Sequence, residues 1–369
     1  MKTQIDKILT GLAAIMAAGI TAHAQYTYTT LEDPLGVQTT ADGIDGANIV
    51  GYYLDSSNND HGFLYDGSTW ATLDDPLAAS GFSGGTYPFG ISGTNVVGYY
   101  VDASGKNHGF LYDGNAWTRL DDPLAGSGSG QGTFAYGISG TNIVGTYVAG
   151  NGNYHGFLHY GSTWTTLDDP SAGSGSGQGT DAGSISGADI VGQYIDAHGN
   201  THGFLYNGTN YVTVDDPLGV LGTFVIGISG TNISGSYEDG SGNFHGFLYN
   251  GNTYTRLDDP MATPGRYPTG GTYVHGISGS NVVGVYYNST PTHGVLATPL
   301  PRLAFTSSAG GLTLSWPYPP FGWTLQQNPD LTTTNWTAAP TNGISFNGTN
   351  NFIGITPSAG NLFFRLSQQ

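Results

Sequence analysis

The chain of 369 residues contains no cysteine. It therefore uses neither disulfides nor thiolate metal sites, and stability has to come from packing. Basic residues are almost as scarce: 8 Lys plus Arg stand against 26 Asp plus Glu, a formal charge of −18. Phosphate backbones are held by clustered Lys and Arg, so nucleic acid is excluded as a partner. Beyond residue 24 nothing approaches the roughly 20 apolar residues of a spanning helix. Runs of Ala, Glu and Lys with a 3.6-residue period are missing over the same stretch, which argues against long helices. Also absent are G-x-S-x-G, H-E-x-x-H and a phosphate-cradling loop before a helix, so no familiar enzyme motif is present.

What is abundant points elsewhere. There are 61 Gly, 24 Tyr and 6 Trp, and Val, Ile, Tyr, Thr and Trp alternate with small or polar residues in short segments closed by Gly, Asn and Asp. That is the pattern of an all-β protein. The first 24 residues stand apart: Lys2 and Lys7 flank the apolar run "ILTGLAAIMAAGI", which ends at "AHA" before Gln25. Residues 1–24 thus read as a signal peptide cleaved after Ala24, with the mature chain secreted to the extracellular space, periplasm or cell surface.

Internal repetition sets the architecture. The phrase "HGF", or its decayed form, begins at His61, His108, His155, His202, His245 and His293, in steps of 47, 47, 47, 43 and 48 residues. A "GIS"-like phrase and a "DDP"-like phrase keep nearly the same period. Each unit carries four strand signals in fixed order, as in "TFAYGIS", "NIVGTYV", "HGFLHY" and "TWTTLDD" of the third, joined by tight turns rich in Gly and Asn. Units of this length with four antiparallel strands read as propeller blades. The sixth unit lacks its fourth strand, whereas an unpaired "YTYTTLEDP" (Tyr26 to Pro34) precedes the first. The expected fold is a six-bladed β-propeller over residues 25–300, its last four-stranded blade completed by the N-terminal strand. A small C-terminal β-sandwich follows over 301–369, where the period stops.

The motifs "NIVGYYLDSSNNDHGFLYDG", "NVVGYYVDASGKNHGFLYDG" and "DIVGQYIDAHGNTHGFLYNG" resemble the HAF repeats of secreted bacterial proteins, across Tyr26 to about Pro299. HGF here replaces HAF, one small residue for another. The resemblance implies an extracellular repeat protein and carries no catalytic residues with it. The C-terminal segment, through "LTLSWP", "NW" and "FFRL", is similar to fibronectin-III-like modules.

The repeated residues read as scaffold. A metal or proton-transfer role for six histidines would need them to converge, and the third strand of each blade is far from the axis. Asp55, Asp102, Asp196 and Asp239 each precede their His by six residues, so a hydrogen bond tying the ends of a hairpin is the favoured reading. The acid-Pro pairs, Asp74 with Asp75 and their copies, favour a turn role, with calcium binding through oxygen ligands as the alternative. The recurrent Tyr65 and Trp70 and their copies fit packing between blades, with a carbohydrate platform as the alternative. No cofactor and no metal are expected.

Function is sought where the units differ. The first strand of each unit lines the axis, and its second and fourth positions vary most in chemistry: Asp42, Asp181 and His275 are single polar departures among aromatics. Asp42, Tyr87, Tyr136, Asp181, Tyr273 and His275 are the candidate ligand-binding residues, suited to a small polar ligand or sugar. The sequence supports a non-catalytic binding or cell-surface scaffold whose partner is an extracellular glycan or a surface protein. The alternative is an extracellular carbohydrate-active enzyme, a glycosidase or lyase using Asp42 and Asp181.

Overall fold

The computed structural model describes residues 26–81, 84–289, 291–308, 311–317, 323–339, 343–347, 350–355 and 362–368. The expected signal peptide lies outside them. Every regular element among these residues is a strand, and among them no helix is long and apolar enough to cross a membrane. Contacts divide the described chain into one body over Tyr26–Thr298 and another from Pro299 onward.

In the first body the third repeat illustrates the rest. Gly132–Ser139, Asn142–Val148, Tyr154–Tyr160 and Thr163–Leu167 pair antiparallel in chain order. A bulge between Ala135 and Gly137 kinks the first strand, and the same irregularity recurs in the first strand of every other unit. The last repeat supplies only Thr272–Ser278, Asn281–Tyr287 and Thr292–Pro299, and the N-terminal strand Tyr26–Leu31 lies beside Thr292–Pro299 as its fourth. One departure from separate blades is visible. Single parallel pairings, Asp60 with Gly85, Asn107 with Gly132 and Tyr154 with Gly179, join the first four units into a sixteen-stranded sheet. They arise because the third strand of each unit starts where the first strand of the next one starts.

The core lies between units rather than within them. Val50 and Leu73 of the first unit pack with Ile91, Val96, Tyr100 and Phe110 of the second, and the same mixture recurs at each following junction. The sixth cluster combines Leu31, from the N-terminal strand, and Val283 with Ala41, Ile49, Tyr53 and Phe63 of the first unit. A single repeat thus has no core of its own, the physical reason such units occur only in series. The outer hairpins add Trp70, whose ring lies 4.5 Å from Tyr65 and edge-on to Phe63 at 4.9 Å; these ring contacts lie within one unit rather than between blades, and the two outer rings pack against the inter-unit cluster from outside.

The repeated histidines are held by two acids, one of which the sequence reading missed. His61 Nδ1 lies 2.7 Å from Asp74, the first acid of the "DDP" phrase, and its Nε2 lies 3.6 Å from Asp55. His108 has the same pair, Asp121 at 3.0 Å and Asp102 at 3.2 Å, and so does His245, with Asp258 at 2.9 Å and Asp239 at 3.2 Å. The expected partner six residues upstream is thus the longer contact. The shorter one explains the third unit, where Ala149 replaces that acid yet His155 keeps Asp168 at 3.0 Å. In the last unit the acid comes from the chain's other end: His293 pairs with Glu32 at 3.0 Å. A tyrosine covers each imidazole, as Tyr53 does His61 at 5.1 Å.

The neighbouring acid of each phrase makes a turn. Asp75 Oδ1 accepts from the Leu77 N–H at 2.8 Å while its own N–H donates to Thr86 Oγ1 at 2.9 Å. Both acids of the pair are thus engaged by protein donors, and among the described residues no group of three or more His, Asp or Glu has a metal-holding arrangement. The glycine of "HGF" is also set by contact. A Cβ on Gly62 would meet the Leu73 carbonyl oxygen at 2.3 Å, so in this packing Gly and Ala are not interchangeable.

Two outcomes follow from the histidine pairs. His108, with only 4% of its side chain exposed, leaves Asp121 and Asp102 short of a partner when removed. His108→Ala is therefore expected to lower unfolding free energy by about 2–3 kcal/mol, and His155→Ala by less, in urea titrations. His61 carries the pH dependence. Burial opposes its protonation, but Asp74 and Asp55 outweigh burial and hold its pKa above the ordinary value. Its stabilisation is then complete below the unfolded value of about 6.5 and fades as pH rises through the higher folded value. His61→Gln should flatten the stability curve across and above that pH. Asp55 acts at the other end: hydrogen bonds from Asn59 pull it down to about 2, so its contribution is lost only as pH falls toward that value.

From Pro299 onward a second set of strands forms. Ala304–Ser308, Gly311–Pro317, Asn350–Ile355 and Ser345–Phe346 make one four-stranded sheet, and Thr337–Ala338, Trp323–Asn328 and Phe363–Gln368 a three-stranded one. Leu314, Trp316 and Ile353 of the first share a core with Leu325 of the second, and Arg365 lies 4.3 Å over the Trp336 ring.

Candidate functional site

The first strands of the six units, Gln38–Asp45, Gly85–Ser92, Gly132–Ser139, Gly179–Ser186, Gly222–Ser229 and Thr272–Ser278, together line a cavity of about 270 Å³. A strand bordering a cavity offers alternate residues to it, which is why Asp42, Phe89, Tyr136, Gly183, Ile226 and His275 all reach it from one repeat position. Of the six candidate residues, Asp42, Tyr136, Asp181 and His275 line the cavity; Tyr87 and Tyr273 do not. The Tyr87 hydroxyl donates to Asp60 Oδ2 at 2.8 Å and lies 3.0 Å from the Gly84 carbonyl oxygen. The Tyr273 ring stacks on Phe244 at 4.6 Å and its hydroxyl accepts from the Tyr267 N–H. Both long side chains find their polar partners in neighbouring segments, whereas the short Asp181 at the same repeat position stays on the cavity wall.

The cavity has two polar poles. At one, His275 Nδ1 lies 2.8 Å from Asp42 Oδ1, between the sixth and first units, and 3.3 Å from the Ala41 carbonyl. The Asp42 side chain is 3% exposed, and its Oδ2 is buried with no hydrogen-bond partner. Burial pushes its carboxyl above the usual range, against the pull of His275. At the other pole, in the fourth unit, Asp181 accepts from Thr146 Oγ1 and, at 3.3 Å, from Gln193 Nε2. Burial raises Asp181 as well, and Gln193 Oε1 is a second buried acceptor without a partner. Between the poles, through the second and third units, runs an aromatic wall: Phe89 meets Tyr136 edge-on at 5.1 Å and stacks with Tyr99 at 5.7 Å. Burial, then the nearby Asp181, drives Tyr136 well above its ordinary value, so its hydroxyl stays protonated. Val225 and Ile226 of the fifth unit give an aliphatic wall.

Tyr99 and Gln193 were missed from sequence, although a signal existed. They occupy one position of the second strand, facing Tyr87 and Asp181 in register. That position reads Tyr52, Tyr99, Thr146, Gln193, Ser236 and Val285 through the repeats, as varied as the first strand itself.

Chemically the site offers buried hydrogen-bond acceptors at two ends, a protonated phenol, aromatic faces for an apolar ring surface, and neither lysine nor arginine. No protein-family model and no curated protein matches the chain. Solved structures do resemble it. The lectin of Aleuria aurantia in complex with Fucalpha1-6GlcNAc is 15% identical over 86% of this chain and 97% of its own, with a TM-score of 0.44. Another structure of that lectin, described as a six-bladed β-propeller with a fucose recognition mode, is 13% identical over 86% and 95%, at 0.40. TolB from Acinetobacter baumannii is 15% identical over 68% of this chain and 63% of its own, at 0.43. At such TM-scores the functional reading rests on the cavity alone.

Proposed function

We propose that the chain is a secreted, non-catalytic six-bladed β-propeller, closed by its N-terminal strand and followed by a C-terminal β-sandwich, that binds one sugar residue of an extracellular glycan in its axial cavity. The strand pairings and the six inter-unit cores support the ring, and the two-layer core of Leu314, Trp316, Leu325 and Ile353 supports the sandwich. Secretion rests on the sequence of residues 1–24.

The observation that carries the ligand reading is the pair of buried, unpartnered acceptors at opposite poles, Asp42 Oδ2 and Gln193 Oε1. Such atoms cost free energy in a folded protein unless something donates to them, and neither recurs at the matching position of any other unit. A sugar ring has hydroxyls for the poles and a C–H face for Phe89 and Tyr136. The cavity is slightly smaller than the roughly 300–1,000 Å³ of typical ligand pockets, which fits one ring rather than a chain.

Glycan-array binding and isothermal titration test this reading. Asp42→Asn makes it sharper because stability and binding should move in opposite directions. The native carboxyl, raised by burial, costs stability once pH passes its unfolded value of about 3.9 and ionisation is resisted. The amide removes that cost, so at pH 7 the unfolding free energy should rise by on the order of 1 kcal/mol, while sugar affinity falls. Loss of both together, or gain of both, would contradict it. The carbohydrate-active enzyme with Asp42 and Asp181 as its carboxyl pair is the competing reading; polysaccharide turnover abolished by Asp42→Asn or Asp181→Asn would replace binding with catalysis.

A further inference from the structure

The axial cavity is one-sided in charge. Its ionisable lining residues are Asp42, Asp181, His275 and two tyrosines, with no lysine or arginine among them. Both of its orphaned buried atoms, Asp42 Oδ2 and Gln193 Oε1, are acceptors. Neither acid is a repeat feature: the residues matching Asp42 are Phe89, Tyr136, Gly183, Ile226 and His275, so five other residues serve at this position in the other units. Asp42 is therefore not what the scaffold needs. His275 satisfies one of its oxygens and leaves the other buried and bare.

Resting on the reading of this cavity as a sugar site, we propose that it selects an amino sugar bearing a free primary ammonium over neutral and acidic sugars, with the ammonium on Asp42 and hydroxyls toward Asp181 and Gln193. An ammonium brings three donors and a compensating charge. Placed at Asp42, it brings donors and positive charge to the oxygen that His275 leaves bare, and hydrogen bonds between charged partners are the stronger kind. A neutral hydroxyl offers one donor and no charge. A uronic or sialic acid would bring its carboxylate to two carboxyls with no lysine or arginine to receive it. The rings of Phe89, Tyr99 and Tyr136 suit a cationic ligand as well as they suit a sugar face, since aromatic faces attract cations.

The test uses the mature full-length chain in phosphate buffer, titrated calorimetrically with methyl glycosides of the free-amine, N-acetylated, hydroxyl and uronate forms in the gluco, galacto and manno series. Within the series that binds, the free amine should bind about tenfold more tightly than the hydroxyl and N-acetyl forms, and the uronate should not bind. In Asp42→Asn, confirmed folded by its cooperative unfolding, that preference should disappear. Equal affinity for the free amine and its neutral counterparts overturns the proposal while leaving the sugar site standing. A preference that survives Asp42→Asn also overturns it. If no member of any series binds, the sugar reading and the ammonium proposal fall together.

Discussion

Removing residues 26–32 is expected to cost the first body at least ~5 kcal/mol, a large share of the 5–15 kcal/mol that holds a typical domain folded. The expectation comes from where that strand is spent. Tyr26 is buried in the cluster shared by the fifth and sixth units, and Leu31 in the cluster shared by the sixth and first. Two of six inter-unit cores are therefore opened by one deletion. Truncating Leu31 alone to alanine should cost about 2–5 kcal/mol. The deletion also strips Glu32 from His293 and exposes the Thr292–Pro299 edge, an invitation to aggregate. Urea unfolding followed by tryptophan fluorescence gives the free energy, and size exclusion reads the association. Adding a synthetic peptide of residues 26–34 should restore the transition in trans. An unchanged midpoint and slope in the deleted chain would mean that the strand is decoration.

The second large effect is expected from a single methyl group. A Cβ on Gly145 would sit 2.0 Å from the Phe134 carbonyl oxygen, 2.8 Å from Phe157 and 2.9 Å from the Ala135 Cα. Two of those three atoms are backbone of the adjacent first strand, held by its own ladder and bulge, so they cannot turn aside as a flexible side chain would. Gly145→Ala should destabilise the protein by about 3 kcal/mol or more. Gly140→Ala makes the comparison sharp. That glycine has φ +62° and open space around it, so alanine there meets only backbone strain and should cost about 1 kcal/mol. Thermal and urea unfolding of the two variants separate steric from conformational cost; equal losses would show that the close approach is absent in solution.

Much of this architecture was legible because repetition multiplies a weak signal. One "NIVGTYV" is an ambiguous apolar run, but six copies in register with "HGF" and "DDP" set strand order and unit boundaries. The missing fourth strand of the last unit located its substitute at Tyr26 by arithmetic alone. The same arithmetic held the unread clue to the histidines. From His61 to Asp74, His108 to Asp121, His155 to Asp168, His202 to Asp215 and His245 to Asp258 the separation stays at thirteen residues. That spacing follows from two adjacent antiparallel strands joined by one turn, so it survives changes of loop length elsewhere.

The cavity was harder to read. Strand alternation places Asp42, Tyr136, Asp181 and His275 toward the axis, and all four line the cavity, since alternation governs which way a residue points. It does not govern how far a side chain extends, and so it also nominated Tyr87 and Tyr273, whose hydroxyls reach partners elsewhere. Gln193 and Tyr99 lie on the second strand, whereas the axial argument reaches only the first. Register across a ladder brings such residues in, and register becomes visible only once the bulge is placed.

Glu32 and His293 meet across 261 residues of sequence, and that distance shapes how the molecule is made. Translation delivers the closing strand first and its berth last, so the first segment has to wait, unpaired, while every repeat is synthesised and stacked; such non-local pairing is slow. During the wait, a neighbour's vacant berth is as good a home as its own. The tether favours the intramolecular choice up to roughly millimolar protein, and beyond that reciprocal exchange or open-ended chains become competitive.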